Sequence, residues 1–66
     1  MKYQDSRDGK FRLDGKSLYF NRGDHWGHVF TSHKIKNIGN ARTLLQQHYD
    51  NKDEMSEKDM EIYPAL

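Results

Sequence analysis

The stretch KFRLDGKSLYFNRGDHWGHVFT, residues 10–31, decides the fold. Lys10-Phe11-Arg12-Leu13 alternates polar and apolar with period two, the pattern of a strand with one face buried. Asp14-Gly15 follows, a dipeptide that supplies the positive φ of a type I′ hairpin turn. Ser17-Leu18-Tyr19-Phe20 is the return strand. Asn21-Arg22-Gly23-Asp24 makes a second turn, and Trp26 to Thr31 is aromatic and β-branched enough for a third strand. Tight turns can join only antiparallel neighbours, so the stretch predicts a three-stranded meander.

Beyond Thr31 the period changes. Ala41, Leu44, Leu45, His48 and Tyr49 fall at i, i+3, i+4, i+7 and i+8, one face of a helix over about residues 39–51. Asn37 or Asn40 can cap its N-terminus. Ser56 and Asp59 have capping-box spacing, Met55 and Met60 stand where a hydrophobic staple would place them, and Pro64 ends any helix near Tyr63. Met60-Glu61-Ile62-Tyr63 also alternates, so the segment can be read as a short helix or an added strand. The balance favours the helix. On the other side, residues 1–9 read as a polar arm or a short edge strand. The organisation expected is therefore an arm over 1–9, a β-meander plus helix over 10–51, and a loosely attached acidic segment over 52–66. Its class is α+β, a small three-stranded antiparallel sheet packed by one main helix.

Phe11 and Leu13 share one face of the first strand, leaving Arg12 on the other. On the third strand, simple alternation sets Val29 against Trp26, His28 and Phe30. Ile35, Ile38, Leu44, Leu45 and Tyr49 close the helix side. Eight aromatics in 66 residues exceed what one sheet face can hold. Some of Tyr3, Tyr19, Phe20, Trp26, Phe30 and Tyr63 must reach the other face. There they either lie beneath the C-terminal segment or form a contact surface.

Composition narrows the function. Hydrophobic residues make up 33% and charged residues 32%, with a mean hydropathy of -1.17. A chain this short buries about 60% of its unfolded surface, which leaves a few kcal/mol of stability at most. With no cysteine there is neither a disulfide framework nor a thiolate zinc site. No apolar run is long enough to span a bilayer and no secretory h-region follows Met1, so no membrane association is expected. The expected compartment is the cytoplasm, that of the host if the chain is phage-encoded. The net charge of +1 conceals an asymmetry. Residues 1–49 carry nine Lys/Arg against four Asp, whereas residues 50–66 carry two Lys against six Asp/Glu. A basic body bears an acidic tail.

The histidines at 25, 28, 33 and 48 have spacings that can recruit a metal. However, His25 and His28 point to opposite faces of a strand, so no metal site and no cofactor are assigned. Asp24-His25, Asn40, Leu44-Leu45, His48 and Asn51-Lys52 resemble the skeleton of HNH endonucleases over residues 24–52. That resemblance implies His25 as general base and His48 as metal ligand, but the family's structural cysteines are missing. No phosphate-binding glycine loop is present. No catalytic residue is assigned, and a non-enzymatic protein is expected.

Two binding readings remain. Arg7, Lys10, Arg12, Lys16, Arg22, Lys34, Lys36 and Arg42 are interleaved with Tyr19, Trp26 and Phe30, a composition suited to phosphates and bases. Three strands followed by a helix resemble in topology the arm-binding domains of tyrosine-family integrases. That likeness implies a sheet entering the major groove. The other reading is a small regulatory inhibitor or adaptor of a protein target, with a nucleic-acid-processing enzyme among the candidates. The modest net charge and the presence of both a basic and an acidic surface favour a protein partner. The contact residues expected are Arg12, Tyr19, Arg22 and Trp26 on the sheet face, and Asp53, Glu54, Glu57 and Asp59 in the tail. The oligomeric state is not legible from the sequence.

Overall fold

The structure, a computed structural model, describes residues 3–66. Its described residues form an α+β fold, an antiparallel sheet of four strands with two helices. The strands are β1 (Tyr3–Asp5), β2 (Phe11–Asp14), β3 (Ser17–Asn21) and β4 (Trp26–Thr31), in the order β1-β2-β3-β4. Helices α1 (Ile38–Asp50) and α2 (Glu57–Ile62) follow, and a 3₁₀ turn over Tyr63–Ala65 closes the chain. No helix among the described residues is long and apolar enough to cross a membrane.

The sheet has one strand more than the three expected, because Tyr3–Asp5 pairs with β2 in the register Tyr3↔Asp14 and Asp5↔Arg12. Of the two readings of residues 1–9, the edge strand is therefore the one adopted; Met1 and Lys2 lie outside the described residues. The β2–β3 hairpin forms where expected but with a different turn. Asp14 pairs with Ser17, so Gly15 and Lys16 are its two central residues. Gly15 has φ +64, and no non-glycine residue described has positive φ. Positive φ at the first central position alone is the type II′ pattern, not type I′.

Strand β4 departs from simple alternation. Its partners are Trp26↔Asn21, Gly27↔Phe20 and His28↔Tyr19, but then Phe30↔Leu18, with a register shift between Leu18 and Tyr19. The extra residue at this bulge, Val29, lets Phe30 join the face of Leu18 while Trp26 and His28 stay on the face of Tyr19. The expectation that Phe30 shares the face of Trp26 and His28 is thereby corrected. Phe20, Val29 and Phe30 all pack on the core.

That core holds Phe11, Leu13 and Leu18 from the sheet, Ile35 from the β4–α1 loop, Ala41, Leu45 and Tyr49 from α1, and Ile62 from α2. Helix α1 begins as its sequence requires: the Asn37 side chain accepts from the Asn40 N–H at 2.8 Å, occupying one of the unpaired donors of the first turn. Helix α2 is opened by the Ser56–Asp59 capping box. Its staple is incomplete: Met55 packs on the core, whereas Met60 is 56% exposed.

The C-terminal segment is not loosely attached. Ile62 is 1% exposed, inside the same cluster as Phe11 and Leu18. Lys52 pairs with Asp59 and Arg22 with Glu61; Tyr63 donates to Asp50, and Arg42 donates to the Ala65 carbonyl. Both helices thus pack on one side of the sheet. The opposite side is left uncovered.

Candidate functional site

The uncovered face is set by the pleat. Residues opposite the core positions Phe11, Leu13 and Leu18 must point away from it, and the register aligns them in rows. One row runs Tyr3, Asp14 and Ser17; the next runs Asp5, Arg12, Tyr19 and His28. Trp26, beside Asn21, extends the face at the β4 edge.

Arg12 organises it. Its Nε and Nη2 donate to the two carboxylate oxygens of Asp5 at 2.6 and 3.0 Å. Its guanidinium carbon lies 4.0 Å from the ring centre of Tyr3 and 4.3 Å from that of Trp26. The planar cation is therefore stacked between two rings while its edge is held by a carboxylate. Each cation–π contact adds only modest attraction at an exposed site. More important for binding, the stack holds three long side chains in one arrangement, so less rotamer entropy is lost when a partner docks. Tyr19 stands next to this stack with its ring edge-on to His28, 5.5 Å between centres. His28 in turn bonds Thr31 at 2.7 Å, and Thr31 bonds Ser17 at 3.0 Å. Tyr3, Arg12, Asp14, Tyr19 and Trp26 line a shallow open cleft.

Three of the four sheet-face residues expected from sequence are therefore brought together: Arg12, Tyr19 and Trp26. Arg22 is not among them. It lies along the Gly27 backbone, on the core side of β4, and its Nη1 reaches Glu61 at 2.7 Å. The turn after β3 carries it to the helix side, where it ties α2 to the sheet. Tyr3, expected only as one of several aromatics that could reach this face, lines the cleft; sequence reasoning missed Asp14, which also lines it, and Asp5, which holds Arg12.

The tail residues divide in the same way. Asp59 is 14% exposed at its side chain, paired with Lys52 and bonded to the Ser56 backbone, so its carboxylate has a structural task. Asp53, Glu54 and Glu57 are exposed and have no ion pair among the described residues. The basic residues are dispersed. Arg12 and Arg22 are paired with carboxylates, Lys16 donates to the Ile35 carbonyl at 2.6 Å, and Arg42 to that of Ala65. Arg7 and Lys10 lie at the β1–β2 turn. Lys34 and Lys36 lie in the β4–α1 loop, which the Lys16–Ile35 bond places at the other end of β2.

The residues of the HNH-like pattern are also apart. His25 lies in the turn before β4, bonded to Asp24 at 2.6 Å. His48 stacks on Phe30, five residues further along β4, roughly 16 Å at the rise of a strand. Asn40 accepts from the Lys36 N–H in the first turn of α1. Among the described residues no three His, Asp or Glu side chains are grouped as metal ligands.

Ion pairing gives the fold a pH signature. The bond from Arg12 holds the Asp5 carboxyl below its ordinary range, and the bond from Lys52 does the same to Asp59. A lowered folded pKa contributes stability above the unfolded value near 3.8 that is lost as pH falls through the folded value. Burial, followed by the nearby Asp59, pushes the Tyr49 phenol up to about 12 from 10.0, so that contribution is lost as pH rises from 10.0 toward 12. Melting temperature followed by circular dichroism should fall below about pH 4 and again above about pH 10. Asp59→Asn should flatten the acid limb, and Tyr49→Phe the alkaline one.

Comparison with protein-family models, with curated proteins and with solved structures gave no match to this chain.

Proposed function

We propose that this chain is a small non-enzymatic regulatory protein of the cytoplasm that binds a protein partner through the uncovered face of its sheet. The observation that carries the reading is the Tyr3–Arg12–Trp26 stack with Tyr19 beside it, on the side that neither helix covers. Trp, Tyr and Arg are the residues that most often dominate interface energies, and here they are adjacent and already ordered. A nucleic-acid-processing enzyme is the partner class favoured, since the basic channel of such an enzyme would suit the carboxylates that form no ion pair among the described residues, Asp14, Asp53, Glu54 and Glu57 among them.

Charge argues against phosphate backbone as the ligand of this face. Arg12 is neutralised by Asp5, Asp14 adds a second carboxylate, Arg7, Lys10, Lys34 and Lys36 stand at the two ends of the sheet, and Arg42 and Lys58 belong to the helices on its other side. Phosphate-driven binding needs several cations on one surface and falls steeply with salt. Titration of the protein with DNA and RNA, duplex and single-stranded, should give no salt-dependent complex at micromolar concentration near physiological salt. A steep salt slope that Arg12→Ala reduces by about one would replace this reading with a nucleic-acid module.

A further inference from the structure

We infer that the cleft of the uncovered face receives a cationic side chain, arginine above all, from a basic segment of the protein partner. The inference rests on the reading that this face binds protein, and adds the chemistry by which the partner is recognised.

The cleft has a volume of about 240 Å³, below the ~300–1,000 Å³ of small-molecule sites. It suits one inserted side chain better than a cofactor. Three of its five lining residues are aromatic, Tyr3, Tyr19 and Trp26. Arg12 is the one cation in its lining, and that charge is already engaged: two of its N–H groups go to Asp5 and its plane lies between two rings. Asp14 differs. It is exposed at the lip and forms no ion pair among the described residues. The face thus holds two carboxylates, Asp5 and Asp14, to one guanidinium.

Aromatic faces with an unengaged carboxylate beside them recognise a cation, since the ring quadrupole and the full charge act in the same direction. An anion would meet Asp14 and find Arg12 already bonded. An uncharged apolar group would desolvate Asp14 without a partner. Between the two cationic side chains, guanidinium is favoured because it is planar, less strongly hydrated and able to bond a carboxylate at two points. It would extend the ring–guanidinium stacking that Tyr3, Arg12 and Trp26 already show.

The test is a titration of ¹⁵N-labelled protein with three short peptides at physiological salt, read by NMR. The peptides are oligo-arginine, oligo-lysine and oligo-glutamate of equal length, each acetylated at its N-terminus and amidated at its C-terminus. The arginine peptide should shift the Trp26 indole and the Tyr19 and Asp14 amides, the lysine peptide should do so more weakly, and the glutamate peptide should leave them unmoved. Asp14→Asn, which disturbs no hydrogen bond of the fold, should weaken the arginine peptide about fivefold, the upper range for an exposed ion pair. Tyr19→Leu should weaken it further while keeping an apolar side chain in β3. Shifts confined to Asp53, Glu54 and Glu57, or an affinity indifferent to Asp14→Asn, would overturn the assignment. A second arm uses a photo-cross-linker at position 28, exposed beside Tyr19 but outside the cleft lining, in lysate, with unlabelled protein as competitor. Capture that wild type competes away and Trp26→Ala does not, with no peptide response at the cleft, would retain the protein-binding reading and overturn the cation assignment. No peptide response at the cleft together with no such capture would overturn both.

Discussion

Replacing Ile62 with alanine is expected to leave most of the protein unfolded, although the residue lies in the last turn of a six-residue helix in the most acidic part of the chain. Ile62 is 1% exposed and belongs to the one cluster that also contains Phe11, Leu18, Ile35 and Leu45. Truncating a buried isoleucine to alanine costs about 2–5 kcal/mol, the transfer of the lost methyl and methylene groups plus the cavity left behind. A short chain with so lean an apolar content stands at the low end of the per-residue range of globular domains, at roughly 3 kcal/mol in total. The two quantities overlap. Urea unfolding followed by circular dichroism should show the midpoint collapsing toward zero denaturant. Met60→Ala, two residues away but 56% exposed, should change the unfolding free energy by no more than about 0.5 kcal/mol. Equal effects of the two substitutions would mean that α2 does not pack as described.

Trp26→Ala is expected to cost the largest share of partner affinity, about 2 kcal/mol or more, a loss of roughly 30-fold. The ring closes one side of the cleft and covers one face of the Arg12 guanidinium. Its removal therefore deletes contact area and frees the arginine that orders the surface. The fold should survive, because Trp26 points away from the core cluster and Arg12 keeps its pairing with Asp5. The measurement is competition: unlabelled Trp26→Ala protein should need about 30 times the wild-type concentration to displace partner from protein carrying the photo-cross-linker at position 28. Arg22→Ala serves as contrast. It should lower stability through loss of the Glu61 pair and leave the affinity of the folded protein unchanged, since that side chain lies on the helix side of the sheet.

Much of the fold was legible because it is written in local chemistry. Period-two alternation marks β2, the turn residues on either side of Ser17-Leu18-Tyr19-Phe20 mark β3, the i, i+3, i+4 spacing of Ala41, Leu44, Leu45, His48 and Tyr49 marks α1, and Ser56 with Asp59 marks the start of α2. Asn37 caps α1 through its own side chain, an interaction spanning three residues. The first strand was half legible. Asp8-Gly9 repeats the hairpin dipeptide of Asp14-Gly15, and Gly9 takes φ +72, but Tyr3–Asp5 is too short for periodicity to register.

By itself, then, the sequence determined the class of fold, the α1 face, the candidates that cap the helices and the division of β2 between an apolar and a polar side. Each depends on neighbours within a few residues, where backbone geometry leaves little choice. Tertiary structure decided the rest. Which side of the sheet the C-terminal segment covers turned on Ile62 finding the core and on Arg22 meeting Glu61, 39 residues away. Whether Phe30 is core or surface turned on a bulge whose cause is the pairing of two strands, invisible in either alone. The candidate site itself exists only because β1 lies antiparallel to β2, which sets Tyr3 and Asp5 around Arg12 and joins residues from all four strands in one cleft. No local pattern encodes that proximity: it is a consequence of strand register, and register is settled by which apolar side chains the whole chain can bury at once.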